Sequence, residues 1–516
     1  MARLLEYKAK AILAASGIRI PPGKVVASAE AAANAARELA PSTVLKAQVF
    51  TTGRAGKGLV RFANGDAEAT AVASELLGRE VRGFPVSEIL IEEKLAVAKE
   101  LFAACIVSDE LASPLALLAS RGGSGVEELA KDPAVIFSRR AFSATAGLLP
   151  FQARTMAREV GLRGKELTKV ASFLVKLAGV FLQEEARTLE VNPLAITESG
   201  EVVALDCHFS VDDYAVPRHP ELEIEIAREI GHPPTELERI AAKVEAADHR
   251  GTFFFLELST EGERLVGFHG AGGGGSMMSM DALNRAGFTA RNFCDTSGNP
   301  SAAKVYRAAK HILALEGIIG YFASGSGVAS QEQFHSARGF VKAFREWPLR
   351  VPAVIRLGGN KEEIAIQILN DFLGDLPVPV EAYGKDDSAE FCAQRLKTLV
   401  AEHPPVEPYE CAPTSRTAPA QEEYAFNTLT GRISIDHAIC TRCEERPCIA
   451  ACIPQILEER GGKVFLREPA EESAHRCTEC LACELACFES GKRAVKIDLP
   501  IAGFEEYLAR RKEGGQ

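Results

Sequence analysis

Eight cysteines packed between Cys440 and Cys487 constrain this chain more than any other feature. They form two runs, Cys440-x2-Cys443-x4-Cys448-x3-Cys452 and Cys477-x2-Cys480-x2-Cys483-x3-Cys487. The other five, Cys105, Cys207, Cys294, Cys392 and Cys411, are scattered. A secreted disulfide framework would not bunch in this way in a chain without an export signal. Met1 to Lys10 is charged and lacks the apolar core of a signal peptide. Clustered thiols in a reducing compartment read as metal ligands, and the expected location is cytoplasmic. Short gaps let consecutive backbone turns aim three thiolates at one centre, with a fourth from the other run. Structural zinc is the competing reading, but zinc usually takes two CxxC knuckles across a long spacer, and here each run has four cysteines.

Composition narrows the partners. With 59 Lys and Arg against 70 Asp and Glu, the net charge is −11. An acidic chain without a basic block is poorly suited to nucleic acid or an anionic membrane surface. No apolar run is long enough for a membrane-spanning helix.

Three regions are expected, making an α/β and α+β multidomain chain. Residues 1–240 open with an amphipathic helix over Leu5–Ser16 and a buried strand, Val44–Ala47. The Gly-rich loop from Thr52 to Gly58 follows, then strands at Glu88–Glu92 and Leu101–Val107, a helix over Leu167–Phe181, and strands about the turn Glu198-Ser199-Gly200. Residues 241–402 repeat strand, glycine loop and helix: Leu265–Phe268 before the run Gly270–Gly275 and a helix from Ser276, then Gly317–Ala323 before Ser324–Gly327 and a helix from about Gln331. That alternation predicts a doubly wound parallel sheet, with its ligand site at the carboxyl ends of the strands. Prolines 404, 405, 408, 413 and 419 mark a linker over 403–428. The cysteine unit spans 429–500 and a charged tail 501–516.

The second cysteine run has bacterial ferredoxin spacing, and the unit resembles the two-cluster 4Fe–4S ferredoxin domain. Pro447 before Cys448 is similar to the iron–sulfur subunits of large redox enzymes; Ile453 stands where that family places proline after its fourth cysteine. The resemblance implies crossed ligation: Cys440, Cys443, Cys448 and Cys487 on one cluster, Cys477, Cys480, Cys483 and Cys452 on the other. It implies an electron wire; a redox-silent structural role is the alternative.

The first 400 or so residues carry several ordered motifs: Leu5-Glu6-Tyr7-Lys8-Ala9-Lys10, Val44-Leu45-Lys46-Ala47-Gln48-Val49 with Gly53-Arg54, Ile91-Glu92 with Ala98–Leu101, Glu190-Val191-Asn192-Pro193-Leu194 with Asp206, then Asn292–Asp295 and Ile355–Leu357. Together they resemble the beta subunit of succinyl-CoA synthetase, and more broadly the NDP-forming acyl-CoA synthetases. The fold implied is an ATP-grasp domain followed by a flavodoxin-like CoA-ligase domain. The resemblance implies ATP or GTP as nucleotide and CoA as substrate. Lys46, Gly53, Arg54 and Ala55 are implied at the phosphates, Glu92 and Leu95 near the purine, and Glu100 towards the ribose or phosphates. Asn192 and Asp206 are implied as Mg2+ ligands, a donor set that suits a hard cation keeping several waters. Glu190 is implied, with Lys46, as catalytic: it orients the phosphorylated histidine of the partner. His269, Gly325, Ser326 and Gly327 are implied on the substrate or partner-phosphate side, with His269 weighed also as a packing residue. The helix after Ser324–Gly327 would offer its N-terminus to the phosphate.

The chain departs from the family pattern at Ala55 in the phosphate loop, at Cys207-His208 after the metal-side aspartate, at His269 and around Gly325. These changes bear on which carboxylate is used. No Gly-His-Ala-Gly motif occurs, so the expected partner is an alpha-type, CoA-binding subunit that carries the phosphohistidine. Three functions follow. The first is a beta-type carboxylate–CoA ligase subunit coupled to low-potential electron transfer, with a redox enzyme or ferredoxin as further partner. The second is an electron-transfer or assembly subunit of a CoA-linked oxidoreductase in which the ATP-grasp part is a scaffold or gate. The third is a ligase regulated by its clusters.

Overall fold

A computed structural model describes residues 1–514 except Thr52, 124–131, Ile230, 259–261 and Glu263; Thr52 of the Gly-rich loop therefore lies outside the described residues. The chain forms two compact units, Met1–Pro233 and Pro234–Gln516.

Besides a two-stranded hairpin, Glu80–Val81 with Phe84–Pro85, the first unit contains two larger antiparallel sheets. The smaller runs Gly23–Val26, Ile89–Glu93, Ser42–Ala47, Val60–Asn64. Its alternation sends Leu45, Ala47, Ile89 and Ile91 into a core under the helices Ala29–Leu39 and Gly65–Leu76. The same period leaves Lys46 and Glu92 on the opposite face, where Lys46 pairs in register with Leu90 and Val44 with Glu92. The larger sheet runs Ala2–Leu4, Cys207–Val211, Ala186–Thr197, Val97–Ser108, Ser113–Ala119, Phe137–Ala141. The helix Gly164–Gln183 covers it with Val170, Phe173, Leu174, Leu177 and Phe181, an apolar stripe at helical spacing. Asp206 falls in the break between strands Val202–Ala204 and Cys207–Val211, not inside a strand.

In the second unit a parallel sheet runs Asn292–Asp295, Leu265–Ala271, Ile318–Gly325, Ala353–Arg356, Val380–Tyr383, with Phe254–Glu257 antiparallel at one edge. Counted from Leu265–Ala271, the parallel strands stand 2-1-3-4-5, the flavodoxin-like order of a doubly wound sheet. Helices Ala302–Leu313, Phe334–Glu346 and Glu362–Leu373 pack on one face, and Gly273–Arg285 with Ala389–Glu402 on the other. The cysteine unit is a three-stranded sheet (Glu423–Asn427, Arg432–Asp436, Val495–Asp498), a hairpin and four short helices.

The proline-rich stretch has no regular structure over 404–420, yet it is not a free tether. Tyr409 donates to the Leu349 carbonyl (2.8 Å), Arg345 donates to the Ala412 carbonyl (3.0 Å), and Thr414 donates to Glu484 (2.5 Å). Ile433, Val495 and Leu485 of the cysteine unit share one continuous core with Phe340, Phe344 and Val305 of the parallel-sheet module. The charged tail contains a helix, Phe504–Gly514, whose Phe504 ring is fully buried against His311 and Trp347. Apolar burial at one end of a polar helix is enough to dock it.

Candidate functional site

The strand faces opposite the small-sheet core converge on six buried or half-buried charges. Glu6 and Lys10 sit one turn apart on the helix Glu6–Ala15, facing inward with Ala9 and Leu13. Lys10 Nζ donates to both oxygens of Glu92 (2.6 and 2.7 Å) and to the Leu205 carbonyl (2.6 Å). Lys46 Nζ lies 2.9 Å from Glu6 and 2.8 Å from Glu92, and donates to the same carbonyl at 2.5 Å. Arg54 spans Glu6 (2.6 Å) and Asp206 (2.7 Å). Three cations thus meet three carboxylates, a balanced set that tolerates burial because each charge is paired. Burial opposes ionisation of Glu6, but Lys10, Lys46 and Arg54 hold its carboxyl well below its ordinary value. Burial likewise pulls Lys46 down, and Glu6, Glu92 and Asp206 carry it above its ordinary value.

This places Lys46 and Arg54 together, as the motifs imply. It corrects Glu92: the side chain does not face a purine, because both carboxylate oxygens are taken by Lys10 and Lys46 and the residue is 2% exposed. Leu95 is half-buried and Glu100 exposed. Gly53 adopts φ 65°, a left-handed value that favours glycine, and Ala55 is exposed beside it.

Glu190, Asn192 and Asp206 do come together. Asn192 Oδ1 accepts from the Gly123 amide (2.7 Å), and its Nδ2 donates to the Gly123 carbonyl (3.1 Å) and to Glu190 (3.3 Å). Burial raises the Glu190 pKa, Asn192 counters it, and Asp206 adds to the rise. Asp206 Oδ1 takes Arg54 and the Cys207 amide (2.7 Å); its Oδ2 has no hydrogen bond or ion pair among the described residues. A carboxylate and an amide oxygen each keep further lone pairs, so the set fits a hard divalent cation. Gly122, beside this group, admits no side chain: a Cβ there would stand 2.2 Å from the Leu101 carbonyl oxygen.

Glu6 and Lys10 lie in the opening motif, which by itself assigns them no role. The available signal was two opposite charges at i and i+4 on the apolar face of an amphipathic helix.

In the second unit the glycine loops meet at the carboxyl edge of the parallel sheet. A Cβ at Gly275 would lie 2.4 Å from Ser326 Cα, and one at Gly325 would lie 2.5 Å from the Ala271 carbonyl oxygen. These glycines allow backbone to touch backbone. Ser326 is exposed, Gly327 has φ 76°, and Arg356 donates to the Gly325 carbonyl (2.7 Å). The helix after Ser324–Gly327 begins only at Phe334, so its N-terminus does not open on that loop; the helix that starts at a glycine run is Gly273–Arg285.

His269 is corrected from a substrate position to a packing one. Its Nδ1 pairs with the Tyr321 hydroxyl (2.8 Å), its Nε2 with the Thr296 hydroxyl (2.9 Å), and Phe340 stands edge-on. Burial drives its pKa down to about 3. The folded value lies below the unfolded one, so His269 contributes stability above about pH 6.5 that is lost as pH falls, at up to about 1.4 kcal/mol per pH unit. His269→Gln is expected to flatten the pH dependence of urea unfolding between about pH 6.5 and 4; an unchanged slope would mean that the imidazole is solvated.

All thirteen cysteines are free. Burial raises the Cys440 thiol pKa, with Cys487 and Cys443 adding to it. Cys448 is pushed up to about 12 by burial, then by Cys487, Cys440 and Cys443. Cys477 is pushed up to about 12 by burial, with Cys480 and Cys452 adding. Cys483 is raised by burial and by Cys480, Cys477 and Cys452. Cys483 also feels Cys448 of the first run, so the sulfurs of the two runs lie close to one another. Among the described residues no three of these sulfurs lie within 4.8 Å of one another.

Comparison with known proteins agrees with the fold. The ATP-grasp domain family matches residues 3–196. The beta subunit of GDP-forming succinate–CoA ligase from Thermus thermophilus is 34% identical over 366 residues, covering 71% of this chain and 93% of that protein. The beta subunit of the ADP-forming enzyme from Ignicoccus hospitalis is 34% identical over 371 residues, covering 71% and 93%. The structure of ATP citrate lyase from Methanothrix soehngenii in complex with citrate and coenzyme A superposes with a TM-score of 0.61 at 20% identity, covering 78% of this chain and 100% of that one, a likeness of fold. These likenesses, with the fold, place the chain among ATP-grasp CoA ligases. Within that class, the chain belongs to the succinate–CoA ligase beta-subunit family. No helix among the described residues is long and apolar enough to cross a membrane.

Proposed function

We propose that this chain is the nucleotide-binding beta-type subunit of a carboxylate–CoA ligase, acting with an alpha-type, CoA-binding subunit, and that its cysteine unit carries two 4Fe–4S clusters which couple acyl-CoA formation to low-potential electron transfer. The observation that carries the ligase reading is the convergence of Lys46 and Arg54 on Asp206, with Asn192 and Glu190 alongside. Lys46 and Arg54 bind the phosphates of ATP or GTP, exchanging their carboxylate partners for phosphate oxygens. Asn192 and Asp206 would hold Mg2+, which supplies charge neutralisation for phosphoryl transfer. Glu190, its pKa raised, accepts a hydrogen bond from the partner's histidine and orients it. The net reaction is ATP + carboxylate + CoA ⇌ ADP + phosphate + acyl-CoA. Ser326 is exposed beside buried Gly327 and faces the substrate or phosphate side.

The chain, purified anaerobically with its partner, is expected to pass label from gamma-labelled ATP and Mg2+ to acid-labile phosphate on the second subunit, discharged by CoA plus a carboxylate. Asp206→Asn is expected to slow labelling by roughly 10–100-fold with less than about 1 kcal/mol of destabilisation, since the lost pair is part-exposed. No label from the wild-type complex would overturn the ligase reading in favour of an electron-transfer or assembly subunit.

The spacing of the two cysteine runs and the closeness of their sulfurs support the cluster reading, in which Cys440, Cys443, Cys448 and Cys487 would ligate one 4Fe–4S group and Cys452, Cys477, Cys480 and Cys483 the other, each group supplying one-electron chemistry. Roughly eight irons and eight acid-labile sulfides per chain are expected. Zinc in their place would overturn it.

A further inference from the structure

Arg338 has no role in the ligase reading and none in the cysteine motifs. It lies on the helix Phe334–Glu346 of the parallel-sheet module. Four residues on, along the same face, Lys342 donates to Glu484 at 2.8 and 3.0 Å, and Glu484 adjoins Cys483. That clasp brings the preceding helical turn beside the Cys480–Cys483 turn. The Arg338 guanidinium lies over the Phe334 ring at 4.7 Å. Its Nη1 is buried with no hydrogen-bond partner, and the guanidinium has no ion pair among the described residues. Burial lowers its pKa, and the nearby Cys480 and Cys483 sulfurs raise it in part. A buried guanidinium N–H without an acceptor is unfavourable unless something accepts from it. Anionic sulfur, which Cys480 and Cys483 bring into its neighbourhood, can do so.

We infer that Arg338 is a hydrogen-bond donor and positive charge directed at the sulfurs of the iron–sulfur group held by Cys452, Cys477, Cys480 and Cys483, and that it sets this group's reduction potential above the value it would otherwise have. The inference rests on the two-cluster reading. Reduction adds one negative charge to the group, so a fixed cation and a donated hydrogen bond favour the reduced form. Cys480 and Cys483 both belong to this set, so the effect of Arg338 falls on this group. The cation comes from the ligase fold and not from the cysteine unit: the module that handles the acyl group also poises the nearer redox centre. Glu479, between Cys477 and Cys480, is held the same way by Arg250 and by Thr428 and Thr430, so the turn that faces Arg338 is anchored at both ends.

The test is a redox titration, monitored by electron paramagnetic resonance, of the anaerobic full-length chain as wild type, Arg338→Gln and Arg338→Lys. In the glutamine variant one of the two midpoints is expected to fall by about 59 mV, a tenfold change in the reduced-to-oxidised ratio of a one-electron couple, while the other stays. The lysine variant, which keeps the charge without the planar fork, is expected to fall in between. Two unmoved midpoints, or two moving together, would overturn the inference while leaving the clusters in place. Should the glutamine variant lose iron, the lysine variant decides, since an unchanged midpoint there would overturn the hydrogen bond to sulfur. Absence of iron and sulfide from the wild-type chain would instead sink the two-cluster reading, and this inference with it.

Discussion

Lys46→Met is expected to abolish phosphorylation of the partner and to destabilise the first unit by about 3–5 kcal/mol. The two effects have separate causes. Lys46 lies within 2.9 Å of Glu6 and 2.8 Å of Glu92, and only 7% of it is exposed. Its removal leaves one surplus carboxylate charge in a dry cluster, the situation in which breaking a buried pair is most costly. The same change removes a cation from the phosphates, a loss on the order of 10²–10³-fold in rate where charge develops in the transition state. The double variant Lys46→Met/Glu92→Gln separates them. It restores charge balance, so urea unfolding is expected to recover most of the lost stability, while gamma-labelled ATP still gives no labelled partner. Full labelling by Lys46→Met would show that the lysine is a structural counter-ion only.

Lys342→Met is expected to loosen the cysteine unit, again at a cost of about 3–5 kcal/mol. Glu484 accepts from Lys342, from the Thr414 hydroxyl (2.5 Å) and from the Ile497 amide (2.7 Å), and it is 1% exposed. Burial raises its pKa and Lys342 lowers it. Without the lysine the carboxylate would be stranded, so the variant is expected to regain stability as pH falls and Glu484 takes up a proton: an acid whose folded pKa is raised contributes stability when protonated and loses it as pH rises. Lys342→Met/Glu484→Gln, neutral on both sides and still able to accept hydrogen bonds, is expected to lie close to wild type. Calorimetry of the anaerobic chain is the measurement. A single cooperative transition in wild type that splits in Lys342→Met would identify this clasp as what couples the two modules. A single variant within about 1 kcal/mol of wild type would mean that water reaches the site.

Local pattern was legible from the residues because it depends on period and spacing alone. The helix read over Leu167–Phe181 is Gly164–Gln183, and the strand read at Val44–Ala47 is Ser42–Ala47. The alternation of strands, glycine loops and helices after residue 241 foretells the parallel sheet, since hydrophobic runs that short and that regular have few other ways to bury their faces. The short cysteine gaps foretell that the thiols of each run lie near one another, because backbone turns of three or four residues have a fixed reach. The grouping of Glu190, Asn192 and Asp206 was readable too, from the turn that brings their strands together.

Tertiary structure alone decided what each charge does. Glu92 and Lys46 look alike as candidate ligands in the chain, but strand register and the helix Glu6–Ala15 turn Glu92 inward, where two lysines hold it. His269 follows an apolar strand and precedes glycines, which suits a pocket as well as a core; only Tyr321 and Thr296, distant in the chain, settle it as a neutral packing residue. The proline-rich stretch has linker composition, yet Thr414 and Tyr409 dock it, because composition reports a segment's intrinsic stiffness and says nothing of the surface it lies on. Lys342, Glu479, Glu484 and Arg338 carry no motif at all. Their meaning comes from long-range pairing across modules, and pairing energy depends on distance and burial, which no local window of sequence contains.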